Sequence, residues 1–262
     1  MNWTASPRRW STDAGSHSSG ASRSSNWARR PRARSSGGLG QYLGRPVPQN
    51  ADGHMLGHVR DTGRSLADPA TRGYQTRAAL PFHTDGADLL ALLSLRTPRA
   101  GGRTSLVSSA AVHNAVLDLR PDLAERLYRT YFFDRREEHA PEEPPYAAAP
   151  LATRLGGALS MRYNRCYVES AQRFPQVPRL EPADLELFDL IDGVAGSPEF
   201  RLDIDLQAGD LLLLNTHTIM HARAQFEDHD SPHSSAICCD CGRPCRIAPV
   251  PTALATGSPL AM

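Results

Sequence analysis

Leu80-Pro81-Phe82-His83-Thr84-Asp85-Gly86 decides the reading of the fold, because it writes two potential metal ligands with one residue between them. On a β-strand, residues i and i+2 point to the same face, so the His83 imidazole and the Asp85 carboxylate face one way and Thr84 the other. If that face looks into a barrel, the pair presents a nitrogen and an oxygen to one ion. A ligand from a distant strand then completes the two-His, one-carboxylate facial set of non-haem iron(II) sites, which leaves coordination positions open. His221, closing the run 211–221, fits that place, and His217 is its nearest rival. In a chain with ten histidines, H-x-D also reads as a plain surface turn and Asn215-Thr216-His217 as a strand end.

Working outward, residues 42–59 carry short apolar pieces broken by Gly44, Pro46, Pro48 and Gly53, which suits brief strands and loops. Residues 89–95 read as a buried strand, Pro98, Gly101 and Gly102 as a turn, and 104–107 as another strand. Ser109 is the expected cap of a helix running through Val112, Leu117 and Leu119, and Pro121 starts a second through Leu123 and Leu127. Residues 137–150, with Glu137, Glu138, Glu142, Glu143 and several prolines, read as a long loop: a mobile cover or a passive surface segment. Residues 159–167 read as a strand bearing Arg162, Tyr163 and Arg165. Pro182 opens a helix whose apolar face is Leu185, Leu187, Phe188 and Ile191 and which ends near Gly193. Residues 200–206, the turn Ala208-Gly209-Asp210 and residues 211–214 read as strand, turn and strand of an antiparallel sheet. The series predicts a mainly β chain with inserted helices, a sandwich or jelly roll; βαβ alternation is missing.

A length of 262 residues allows one substantial core. The net charge of +1 makes no global case for nucleic acid, and the absence of an 18-residue apolar run makes none for a membrane span. Charge is uneven: residues 1–38 hold seven arginines against one acid, Asp13, in a Ser/Arg-rich stretch without helical or strand period. That stretch is expected to be a disordered leader, with no apolar core for a secretory signal; an organelle transit sequence is the weaker alternative. Five cysteines, four of them crowded into 238–245, do not resemble a disulfide framework, and the expected location is cytoplasmic.

Several segments taken in order resemble the taurine catabolism dioxygenase family, the TauD/TfdA-like iron(II)- and 2-oxoglutarate-dependent enzymes. They are Gly40-Gln41-Tyr42-Leu43-Gly44-Arg45-Pro46-Val47, Leu80–Gly86, Gly101-Gly102-Arg103-Thr104-Ser105, Ala208–Asn215 and His221-Ala222-Arg223 with Phe226-Glu227-Asp228. The resemblance spans about residues 38–228 and implies a double-stranded β-helix, with His83, Asp85 and His221 holding Fe(2+) and Thr104 touching 2-oxoglutarate. It further implies O2 and a small-molecule substrate, unidentified, that is hydroxylated, with Arg162, Tyr163 and Asn215 as substrate-side residues. The oligomeric state stays open. The implied domain is 39–235, between the leader 1–38 and an atypical, irregular tail 236–262.

The chain departs from the family after the distal histidine. The family places there an arginine that clamps the far carboxylate of 2-oxoglutarate, a task suited to a planar two-donor fork. Residues 227–235 contain none, and the next, Arg243 and Arg246, fall among the cysteines. Writing residues 236–243 in GC-rich codons and reading two bases later gives His-Leu-Leu-Arg-Leu-Trp-Ala, similar to the family's terminal strand. The expectation is therefore a frameshifted C-terminus, arising between about Asp230 and Ala236, and a truncated N-terminus, leaving the β-helix incomplete. Cys238, Cys239, Cys241 and Cys245 admit structural zinc as the competing reading. Two functions follow: an active dioxygenase, or an impaired homologue that keeps the metal triad without the 2-oxoglutarate arginine.

Overall fold

The computed structural model describes residues 43–50, 52–229 and the backbone of 238–243. Their strands run β1 (Gly57–Val59), β2 (Leu80–His83), β3 (Leu89–Ser94), β4 (Ala100–Gly101), β5 (Thr104–Ser108), β6 (Thr130–Asp134) and β7 (Tyr146–Pro150). There follow β8 (Ala152–Leu155), β9 (Ala158–Met161), β10 (Arg201–Ile204), β11 (Leu211–Asn215), β12 (Ile219–Arg223), β13 (Phe226–Glu227) and β14 (Cys238–Arg243). The α-helices are α1 (Ser109–Leu119), α2 (Arg165–Ser170) and α3 (Pro182–Gly196). The fold is mainly β with a few inserted helices.

Two four-stranded antiparallel sheets frame the molecule, one in the order β1-β14-β3-β11 and the other β10-β5-β12-β2. Alternation gives the second sheet two distinct faces. Val107 and Met220 point into the core, whereas Thr104, His221 and Arg223 line a cavity. The core lies on the outer side of that sheet, where α1 and α3 bring Val112, Val116, Leu187, Phe188 and Ile191 against it. Each large side chain so buried contributes about 1.5–3 kcal/mol of transfer free energy, which fixes the sheet against the helices.

Local chemistry explains the helix boundaries. The Ser108 hydroxyl accepts from the Ala111 amide at 3.3 Å, so the cap stands one residue before the expected Ser109, which is buried. Leu119 is exposed and belongs to no apolar face, and the expected second helix is a run of 3-10 turns, Pro121–Tyr128, with Leu123 and Leu127 buried. In α3, Asp184 folds back to accept the Glu181 amide at 2.8 Å, a capping box that holds the first turn. This helix extends to Gly196, and Leu185 lies outside its buried face.

Four further expectations change. Residues 159–167 are not one strand: β9 stops at Met161, and Asn164 caps α2 by accepting the Tyr167 amide at 3.2 Å. The long loop is shorter than expected, because Tyr146–Pro150 pairs with β6. Strands β10 and β11 each pair antiparallel, but with β5 and β3 in different sheets and not within one sheet. The chain crosses between sheets at Gly209, whose φ of +99° a side chain would strain and whose amide donates to the Ser94 carbonyl at 2.7 Å. Finally, part of the expected irregular tail is a strand, since β14 pairs with both β1 and β3. The expected leader, the frame change between Asp230 and Ala236, and Cys245 lie outside the described residues.

Candidate metal centre

His83 ends β2 and His221 sits in the middle of β12, and the two strands set them directly opposite each other, with ring centroids 4.3 Å apart. Asp85 follows two residues beyond His83, and its carboxylate reaches both rings: Oδ1 is 3.9 Å from His83 Nε2 and Oδ2 is 3.7 Å from His221 Nε2. One ligand atom from each residue lies within 4.8 Å of the others. These separations exceed hydrogen-bonding range yet gather the donors around one point. The expected single strand through the motif is not formed: β2 stops at His83, Asp85 reaches the rings from the loop that follows, and Thr84 between them is buried and exchanges hydrogen bonds with the Tyr163 backbone.

The donor chemistry fits a divalent transition metal. His83 Nδ1 lies 2.8 Å from the Pro81 carbonyl, which can only accept, so Nδ1 carries the proton and Nε2 presents its lone pair. His221 is buried, and its Nδ1 has no hydrogen-bond partner among the described residues. Burial, reinforced by His83 and opposed by Asp85, pushes the His221 imidazole down to about 4, so it stays neutral and able to ligate at neutral pH. His217 takes no part. Its Nδ1 meets the Ser160 hydroxyl at 2.7 Å and its Nε2 the Asp88 carboxylate at 2.8 Å, which ties the β11–β12 turn to β9.

The triad opens on a cavity of about 1250 Å³ lined from both sheets, with Leu90, Leu92 and Ser94 of β3 on one side and Thr104, His221 and Arg223 on the other. Thr104 is buried and stands opposite Arg223 in the β5–β12 register. Its place depends on the glycine pair before it. A Cβ on Gly101 would come 2.1 Å from the Gln225 carbonyl oxygen, and φ at Gly101 and Gly102 is +73° and +75°. Glycine thus lets this turn lie against the tail of the histidine strand, where the Gly102 amide donates to Gln225.

Of the expected substrate-side residues, Arg162 lines the cavity and the other two do not. Tyr163 is 0% exposed, with its hydroxyl 2.7 Å from Asp192; Asn215 closes β11 and accepts the His217 amide at 3.0 Å. Both are structural, a correction that follows from β9 ending before Tyr163 and from the tight turn after Asn215.

The sequence reading missed a polar group across the cavity. Arg72 donates to Glu138 at 2.8 Å, and Arg72 and Arg136 both approach the Tyr167 ring, at 5.6 and 5.7 Å. Arg136 also donates to the carbonyls of Asp68 and Thr71, each at 2.9 Å, pinning that segment beside the cavity. Only chain folding joins these residues; the clustered Glu137 and Glu138 marked the loop and not the contact.

The taurine catabolism dioxygenase TauD, TfdA family model matches residues 24–236, beginning inside the expected leader. FR-33289 synthase of Streptomyces rubellomurinus is 33% identical over 198 residues, 74% of this chain and 58% of the relative. Taurine hydroxylase-like protein SAT17 of Stachybotrys chartarum is 30% identical over 197 residues, 72% of this chain and 50% of its own length. The chain thus spans between half and three fifths of the length of these curated relatives. Among solved structures, the non-heme iron oxygenase OrfP with Fe, succinate and (3S)-hydroxy-L-Arg superposes with a TM-score of 0.60 at 17% identity, covering 85% of this chain and 69% of that one. Asparagine oxygenase with Fe(II), 2S,3S-3-hydroxyasparagine and succinate gives 0.57 at 15%, covering 76% and 60%. With its His-Asp-His cluster at the mouth of a two-sheet cavity, and matched by the family model over most of its length, this chain belongs to the taurine catabolism dioxygenase TauD, TfdA family.

Proposed function

We propose that the protein is an iron(II)- and 2-oxoglutarate-dependent dioxygenase that hydroxylates a small molecule, its two sheets forming the halves of a double-stranded β-helix. The observation that carries this reading is the convergence of His83, Asp85 and His221 beside a large cavity. Bound there, the metal would supply activation of O2 coupled to decarboxylation of 2-oxoglutarate to succinate. The chain's own residues supply the rest. His83 is fixed in one tautomer by Pro81, and the carboxylate of Asp85 faces both rings. The packed sheet behind His221 keeps its ring neutral and in place. Thr104 offers a hydroxyl to the cosubstrate carboxylate, and Arg223, its cross-strand neighbour, braces the same wall by donating to the Thr76 and Ala78 carbonyls, each at 2.7 Å. The family match, the curated relatives and the iron oxygenase neighbours support this reading.

A second reading, a relative that keeps the triad but not the cosubstrate arginine, is motivated by the sequence, in which residues 227–235 contain no arginine. Purified protein given Fe(II), 2-oxoglutarate and O2 decides between them. Succinate release well above that of a His83→Ala control is expected, and turnover equal to the control leaves only the impaired homologue.

A further inference from the structure

Arg162 follows β9 and reaches back over the loop after Asp85, so that a Cβ on Gly86 would lie 3.7 Å from its Nη2. It lines the cavity with its guanidinium 5.3 Å from the centre of the Phe133 ring. Arg72, Arg135 and Arg173 line the same cavity, and each is paired with a carboxylate: Glu138, Glu143 and Asp134. Arg162 makes no side-chain hydrogen bond or ion pair among the described residues. The residue keeps part of its surface open to solvent, and partial desolvation together with the nearby Arg135 charge pushes its guanidinium pKa down.

A guanidinium keeps its charge at neutral pH, and without a carboxylate partner its N–H donors are left to solvent or to a ligand in the cavity. The Phe133 ring engages the guanidinium while a fork of N–H donors remains for a planar oxyanion. No carboxylate of the described chain fills that fork. The 2-oxoglutarate end of the site lies elsewhere. Along β12, moving from His221 to Arg223 leads to the row that contains Thr104 and Leu80. The chain from His83 through Asp85 to Gly86 runs in the opposite direction, so Thr104 and Arg162 flank the triad from different sides. An anion held at Thr104 leaves the Arg162 charge unneutralised.

We infer that the molecule oxidised at this site carries an anionic group, a carboxylate or an equivalent oxyanion, which Arg162 binds on the Gly86 side of the triad. This rests on the proposed function, with Arg162 as a specificity-determining residue that takes no part in the oxidation. Placing the anion there would hold the remainder of the substrate over Asp85 and His221, within the apolar reach of Phe133 and Leu90.

The test is calorimetric binding to the full chain of hexanoate and of its neutral isostere hexanamide, without metal, and separately of 2-oxoglutarate with redox-silent nickel(II). The wild type is expected to prefer hexanoate, and Arg162→Gln to weaken hexanoate roughly tenfold or more without changing 2-oxoglutarate binding. Arg162→Lys is expected to recover part of the loss, since it restores charge without the fork. Arg96→Gln is the control, because Arg96 also lines the cavity without an ion pair among the described residues. No preference for hexanoate, equal binding by Arg162→Gln, loss with Arg96→Gln instead, or loss of 2-oxoglutarate with Arg162→Gln each overturns the inference. Arg162-dependent hexanoate binding in a protein that binds neither nickel(II) nor 2-oxoglutarate would sink the proposed function and leave the anion site standing.

Discussion

The two sheets are built from strands of similar length but differ in what stands behind them. The sheet β10-β5-β12-β2, which carries His83, Thr104 and His221, buries Val107 and Met220 against α1 and α3. In the sheet β1-β14-β3-β11, Leu211 and Leu213 of β11 are 41% and 43% exposed. The proposed metal site needs side chains held to a fraction of an ångström, and a sheet backed by packed helices holds His83 and His221 in that way. Chemistry and packing thus meet on one sheet, while the other closes the cavity through Leu90, Leu92 and Ser94.

The sharpest way to break this contrast is to remove the clamp. Phe188→Ala deletes a fully buried ring that touches Tyr131 and Tyr163 and should cost about 3–5 kcal/mol in urea unfolding. A cost near zero would mean that the helices do not hold the sheet that carries His83 and His221. Next in size is Asp184→Ala, which strips acceptors from the Tyr131 hydroxyl at 2.9 Å, Arg126 at 2.7 Å and the Glu181 amide. A loss of about 2 kcal/mol by the same measurement is expected, because a partly buried charged partner is left behind. Smallest is Leu213→Thr on the open sheet, expected to stay within about 0.5 kcal/mol of the parent. An effect as large as that of Phe188→Ala would show that face to be covered in solution and remove the contrast.

Legibility followed the same division. The H-x-D motif was readable from its ligand types and close spacing, although β2 ends at His83 and Asp85 reaches the rings from the loop beyond it, and His221 was readable because it closes an apolar run. Choosing His221 over His217 needed the family resemblance, and the geometry gives the reason: Ser160 and Asp88 occupy both nitrogens of His217. The strand expected over 159–167 failed because Asn164 starts a helix, a local side-chain bond that outweighs strand propensity. That one error also misjudged Tyr163, since the break after Met161 sends Tyr163 into the core and Arg162 into the cavity. Composition in residues 238–243 suggested irregularity, yet backbone pairing depends on register and tolerates poor strand formers.

By itself the sequence determined the residue types that can ligate, the close spacing of two of them, and the mainly β character, because each depends on short-range pattern and donor chemistry. Tertiary structure alone decided which strands pair, and therefore that β10 and β11 part into different sheets and that His83 meets His221. It also decided which arginines find carboxylates. Sequence fixes the supply of charges, but pairing is a matter of distance between segments far apart in the chain, and that is why Arg162 could be recognised as uncompensated only in the folded molecule.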